Sequence, residues 1–150
     1  MNDSAIDQGA CTGADADSGM LELLHVARIL QSRIEAAIES VGLSIPKYQA
    51  LEELIRCGEP VPLGQLADRQ KCVRSNITQL VDRLAADGLV KRTDDPTDRR
   101  GVRAVITPLG QERFAAAGQA IRAVQESLTS KISKTDRANF LRILSAFRDE

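Results

Sequence analysis

The chain has 150 residues, 43% hydrophobic and 27% charged, enough for one compact domain with or without a dimerisation arm and too short for most multidomain enzymes. Its 20 Lys and Arg stand against 21 Asp and Glu, and only 3% of residues are aromatic with no Trp, which leaves no strong overall basicity and no stacking platform for single strands or RNA. Cys11, Cys57 and Cys72 are odd in number and widely spaced, without a CxxC pair and with His25 the sole histidine, which argues against a zinc site and against a disulfide framework.

The charge is unevenly spread. Residues 1–19 contain Asp3, Asp7, Asp15 and Asp17 and no Lys or Arg, so the remainder is net basic. This Gly-, Ala-, Ser- and Asp-rich stretch buries too little apolar surface to offset its ordering entropy and is expected to be a disordered acidic tail. No apolar run approaches the roughly 18 residues of a membrane span, and the start lacks the basic and apolar regions of a signal peptide. With the cysteine usage, these features predict a cytoplasmic protein with no membrane partner.

From Met20 to Val41 apolar residues including Leu23, Val26, Leu30, Ile34 and Ile38 recur at helical spacing, and Gly42 marks the stop. Ser44 and Pro46 open a second helix carrying Tyr48, Leu51, Leu54 and Ile55 to Gly58, after which GEPVP breaks the chain. A short helix over Leu63–Gln70, the turn DRQKC and a helix from about Val73 to Asp87 suggest helix-turn-helix. Leu89–Thr93 alternates and Val102–Thr107 is β-branched, so these residues with the intervening loop DDPTDRRG read as a two-stranded hairpin with a basic tip. Pro108 then starts a long helix through Phe114, Ile121, Leu128 and Ile132, and a last helix from about Thr135 carries Phe140, Leu141, Leu144 and Phe147. The expected class is mainly α with a small β-hairpin.

On the Val73–Asp87 helix, Val73, Ile77, Leu80, Val81 and Leu84 form a face that would anchor it on a core. Arg74, Ser75, Asn76, Thr78, Gln79 and Arg83 occupy the other. Short donors and acceptors with Arg, Asn or Gln near a helix N-terminus suit base edges in a major groove, though a solvated face is the ordinary reading of one such helix taken alone. The hairpin shifts the balance. Its Lys91, Arg92, Arg99, Arg100 and Arg103 outnumber the acidic residues of the segment, an Arg at a hairpin tip suits the negative potential of a narrow minor groove, and Asp98 is expected to hold a neighbouring Arg in position.

The run ITQLVDRLAADGLVKRTDDPTDRRGVRAVITPLG resembles MarR-type transcriptional regulators. It holds a recognition helix ending in a DRL element, a GLV-R turn into a hairpin, the wing motif at Asp98, Arg99 and Arg100, and a strand ending at Ile106 and Thr107 before a helix. The resemblance implies a winged helix-turn-helix over 44–107, flanked by dimerisation helices over 20–42 and 108–150. It implies a homodimer on a pseudo-palindromic double-stranded operator, repressing transcription and released by a small-molecule effector, phenolic or otherwise aromatic. It places Arg74, Ser75, Asn76, Thr78 and Gln79 in the major groove, Arg100, with Arg99 beside it, at the minor groove, and Asp98 at the wing's structural acidic position. Lys71 and Arg92 fall at generic phosphate contacts, and Ala104 stands where a larger β-branched residue is usual. His25, Arg28 and Tyr48 are candidates for an effector pocket.

Two alternatives stay open: a winged-helix protein-interaction module, and a thiol-based redox regulator using Cys72, which sits between Lys71 and Arg74 at the start of the recognition helix. A small packed thiol is the plainer account of Cys72. No catalytic residue, cofactor or metal site is expected, since the chain has one His, no Gly-rich phosphate loop and no HExxH or GxSxG element.

Overall fold

The computed structural model describes residues 14–148, so Cys11 and most of the expected acidic tail lie outside the described residues. Helix α1 spans Ala14–Glu39, opening six residues before the expected Met20. Extending a nucleated helix fixes one residue per hydrogen bond gained, so a backbone can continue past the end of its apolar stripe. Contacts divide the chain into one unit ending at Arg33 and another over Ile34–Glu150.

The second unit contains α2 (Ile45–Cys57), β1 (Val61–Pro62), α3 (Leu63–Arg69), α4 (Arg74–Ala86), β2 (Val90–Asp95), β3 (Asp98–Ile106), α5 (Pro108–Thr129) and α6 (Lys134–Arg148). Pro46 in the first turn and Gly58 in the left-handed region bound α2 where the sequence places its ends. The apolar faces of α2, α3 and α4 meet in one core in which Leu51, Leu54, Leu66, Ile77, Val81 and Leu84 are fully buried. Fixing α4 by three buried side chains on one face leaves its other face free to point outward.

Three sequence expectations change. The sheet has three strands in the order β1-β3-β2, because Val61 and Pro62 pair antiparallel with Ala104 and Arg103. A two-residue edge strand has no period to detect, and its Pro is tolerated because an edge has no ladder to complete on its outer side. The DDPTDRRG segment is not a loop, since pairing continues to Asp95 and Asp98 and only Pro96 and Thr97 form the turn. Val73 is not a core residue: it is the extended residue preceding α4 and is 63% exposed. Helical periodicity cannot place the side chain of a residue that is not itself helical. Ala104, by contrast, is fully buried and faces Val61 across the sheet.

The junction of β2, β3 and α5 is closely packed. Thr107 Oγ1 donates to the Gly88 carbonyl at 2.7 Å and accepts from the Gly110 N–H at 3.0 Å, so one side chain caps α5 and ties it to the turn after α4. A Cβ on Gly110 would lie 2.1 Å from the Leu89 carbonyl oxygen, which only the absence of a side chain permits. Gly110→Ala must therefore move backbone rather than a flexible side chain. It is expected to cost about 2–3 kcal/mol in a denaturant melt, more than Thr107→Ala at about 1 kcal/mol.

Candidate nucleic-acid interface

The outward face of α4 begins where α3 ends. Gln70 closes α3, Lys71 takes a positive φ of 50°, and the Cys72 N–H donates to the Ala67 carbonyl at 3.1 Å, which turns the chain sharply into α4. Arg74, Ser75, Asn76 and Gln79 are exposed along the helix, and Thr78 is half-buried. The Thr78 hydroxyl donates to the Arg74 carbonyl at 3.0 Å, so its proton is engaged within the helix.

These residues separate into two sets. Asn76, Gln79 and Arg83 line a cleft of about 390 Å³ shared with Gln49 of α2, Gln70 and Cys72. Arg74 and Thr78 line a second cleft of about 440 Å³ whose far wall is the hairpin, with Arg92, Asp98, Arg100 and Gly101. Arg74 packs its guanidinium over Gly64, within 3.4 Å of where a Cβ would stand. Three arginines thus border one open groove between α4 and the hairpin.

The hairpin owes its shape to Asp95. Its Oδ1 accepts from the Thr97 N–H at 2.9 Å, from the Thr97 hydroxyl at 2.7 Å and from Arg103 Nη2 at 2.9 Å. Arg103, grouped by the sequence with the basic tip, is therefore committed within the sheet. Pairing jumps from Asp94 opposite Val102 to Asp95 opposite Asp98, so Arg99, Arg100 and Gly101 form a bulge. A Cβ on Gly101 would come within 2.8 Å of the Asp95 Cβ, so the bulge can close only over a glycine. Asp98 supports this bulge through backbone, accepting from the Arg100 N–H at 2.9 Å, and not through a guanidinium as expected. Arg99 and Arg100 are exposed and have no ion pair among the described residues.

Arg92 was readable from sequence only as a generic cation. In the structure its guanidinium donates to Asp82 of α4, tying the root of β2 to the helix, while it also borders the groove. No sequence signal pairs residues ten apart in different elements, so its position required the fold.

The remaining candidates stand each on its own element. His25 and Arg28 line a shallow groove on α1 with Ile29, Ser32 and Arg33. Tyr48 stacks on Phe114 with ring centroids 4.8 Å apart, joining α2 to α5. Burial, and then the charge of Glu52, raises the Tyr48 hydroxyl pKa, with Arg122 opposing. Cys72 is half-buried against the core, and Cys57 at the end of α2 accepts from Arg69 Nη1 at 3.0 Å; both are free thiols. Among the described residues no cluster of His, Cys, Asp or Glu suits a metal, and no helix is long and apolar enough to cross a membrane.

Arg103 first, and then the Thr97 N–H and hydroxyl, hold the Asp95 carboxyl well below the usual carboxylate range. A depressed folded pKa stabilises the folded form at every pH above the unfolded value near 3.9, and the contribution fades as pH falls below that toward the folded value. Amide exchange in β2 and β3 is accordingly expected to be insensitive to Asp95 between pH 5 and pH 8. Asp95→Asn should raise exchange throughout that window, an outcome that a merely solvated Asp95 would not produce.

Residues 41–101, from the end of α1 into the bulge, match the MarR family. The chain is 29% identical to the uncharacterized HTH-type transcriptional regulator YsmB of Bacillus subtilis (strain 168) over 129 residues, 85% of this chain and 77% of that protein. It is 30% identical to the HTH-type transcriptional repressor YetL of the same organism, over 73% of this chain and 68% of the relative. The fold is similar to that of YusO from Bacillus subtilis, with a TM-score of 0.83 at 19% identity, covering 93% of this chain and 99% of that one. With its helix-turn-helix, arginine-bearing wing and long flanking helices, this chain belongs to the MarR family of DNA-binding transcriptional regulators.

Proposed function

We propose that this regulator binds an operator in duplex DNA as a homodimer, with α4 of each protomer in a major groove and each wing in the flanking minor groove. The observation that carries this reading is the groove between α4 and the hairpin, bordered by Arg74, Arg92 and Arg100. A protein that places one element in a major groove and the next in the adjacent minor groove must straddle the sugar-phosphate strand between them, and that strand needs cations on both walls. In this reading Ser75, Asn76 and Gln79 address base edges, Thr78 lines the phosphate side, and Arg99 and Arg100 enter the minor groove from a bulge braced by Asp98.

The dimer is supported by apolar surface that this chain leaves uncovered. On α6, Phe140, Leu141, Ile143 and Leu144 are 46%, 57%, 49% and 36% exposed, and on α1 Met20, Leu21 and Leu24 are 49%, 68% and 53% exposed. Several large apolar side chains on one helix at this exposure are costly in water and mark an interaction surface on each helix. A second copy supplies a matching surface by symmetry and presents two recognition helices to half-sites about one helical turn apart, which suits a pseudo-palindrome. Residues 20–42 and 108–150 are then the dimerisation segments and 44–107 the DNA-binding segment. Repression by promoter occupancy follows the name of the relative YetL. Release by a small aromatic effector extends the family resemblance, and such an effector acts by its differential affinity for dimers with different head spacing.

The test is equilibrium binding to a duplex selected from a random pool, against a scrambled duplex, over a salt series. Preferential binding that weakens linearly in log salt is expected, and equal weak binding to both duplexes sinks the reading. Arg100→Ala with Arg74→Ala is expected to lower affinity at least tenfold. Arg92→Ala should weaken both duplexes alike with little change in the salt slope, because Asp82 already neutralises its charge and the loss is one of wing position. Phe140→Glu with Leu144→Glu should yield a monomer in sedimentation together with loss of operator affinity, whereas an unchanged dimer would place the interface elsewhere.

A further inference from the structure

One side chain at the front of α4 belongs neither to the core nor to the polar face. Val73 precedes the helix with φ −69° and ψ 144°, and its carbonyl accepts from the Asn76 N–H at 3.0 Å and the Ile77 N–H at 3.3 Å. The backbone at this position is thus locked into the helix start. Its side chain is 63% exposed, more than any other large apolar residue from Ile34 through Ala146, while Lys71, Arg74, Ser75 and Asn76 around it are exposed and polar.

Single exposed apolar residues are ordinary, so exposure alone decides nothing. Position and residue type do. An extended residue ahead of a helix is favoured as Ser, Thr, Asp or Asn, whose side chain would satisfy a free N–H, and Val supplies no such bond here. The local structure is therefore less well served by Val than by Ser or Thr, and nothing in the core compensates. In a major groove the one apolar feature of the base edges is the thymine 5-methyl group. Val offers two methyls on a side chain that is stiff at χ1, so it can meet that group with little loss of rotamer freedom. Its polar neighbours meanwhile meet donors and acceptors.

We propose that Val73 reads thymine methyl groups at one position in each half-site, a specificity contact distinct from the hydrogen-bonding face of α4. The inference rests on α4 entering the major groove.

The experiment uses the full chain and its pool-selected operator, with each thymine replaced in turn by uracil, which removes only the methyl. At one symmetry-related pair of positions the native protein is expected to lose about three- to fivefold in affinity per half-site. Val73→Ser improves the capping chemistry, so the variant keeps its fold. It should bind the thymine operator three- to fivefold less tightly per half-site and be indifferent to uracil at that pair. A Val73→Ser protein that retains every uracil effect of the native chain overturns the inference, as does a native chain indifferent to uracil throughout. In both cases preference for the selected duplex over a scrambled one survives, and the DNA-binding reading stands. A native chain without that preference overturns the DNA-binding reading and this inference with it.

Discussion

The first turn of α5 lies so close to the Leu89 carbonyl that a side chain on Gly110 has no room, and Thr107 fastens the same turn to Gly88. This contact sets the relation between α4, which ends just before Gly88, and β2, which begins just after it. It decides where the wing leaves the helix-turn-helix. A shift of even one ångström here changes the width of the groove between α4 and the hairpin and therefore the spacing of Arg74, Arg92 and Arg100 across it. Dense interiors transmit such displacements instead of absorbing them.

On that frame the arginines divide by whether the chain neutralises them. Arg103 is held by Asp95, Arg92 by Asp82, and Arg56 by Glu53, each fixing one element to another or a helix to itself. The exposed pairs Arg92–Asp82 and Arg56–Glu53 add little stability on their own, whereas the Asp95 carboxylate is largely covered. Their value is positional, since Asp95 orders the hairpin and Asp82 aims the root of β2. Arg74, Arg99 and Arg100 have no ion pair among the described residues and supply the positive potential that the pairs only arrange. An overall charge of -1 conceals this division, because solvent screening makes the local field matter more than the sum.

Much of the architecture was legible in residue order. Helical periodicity located α2 and α4 closely, Pro and Gly bounded α2, and the run from the DRL element to the strand ending at Thr107 carried the family resemblance. These signals are local, arising from side-chain spacing along one element or from backbone preferences of single residues. The polar residues of α4 and the arginines of the hairpin were legible for the same reason, since each set is contiguous in sequence.

The outcomes that sequence missed all depend on distant partners. Arg103 reads as a free cation until Asp95, eight residues earlier, is brought across the turn, and Asp98 reads as an ion-pair partner until the bulge turns the Arg100 N–H toward it. Val61 and Pro62 become a strand only because β3 offers an edge. Val73 reads as core on a helical wheel and proves exposed because the helix starts one residue later. The sequence by itself determined the element order, the polar face of α4 and the basic character of the wing, because period, caps and composition are properties of neighbouring residues. Tertiary structure alone decided which arginines are spent inside the fold, how wide the groove between helix and wing stands and which apolar side chain faces outward. Those depend on close packing and pairing between segments that the linear order keeps apart.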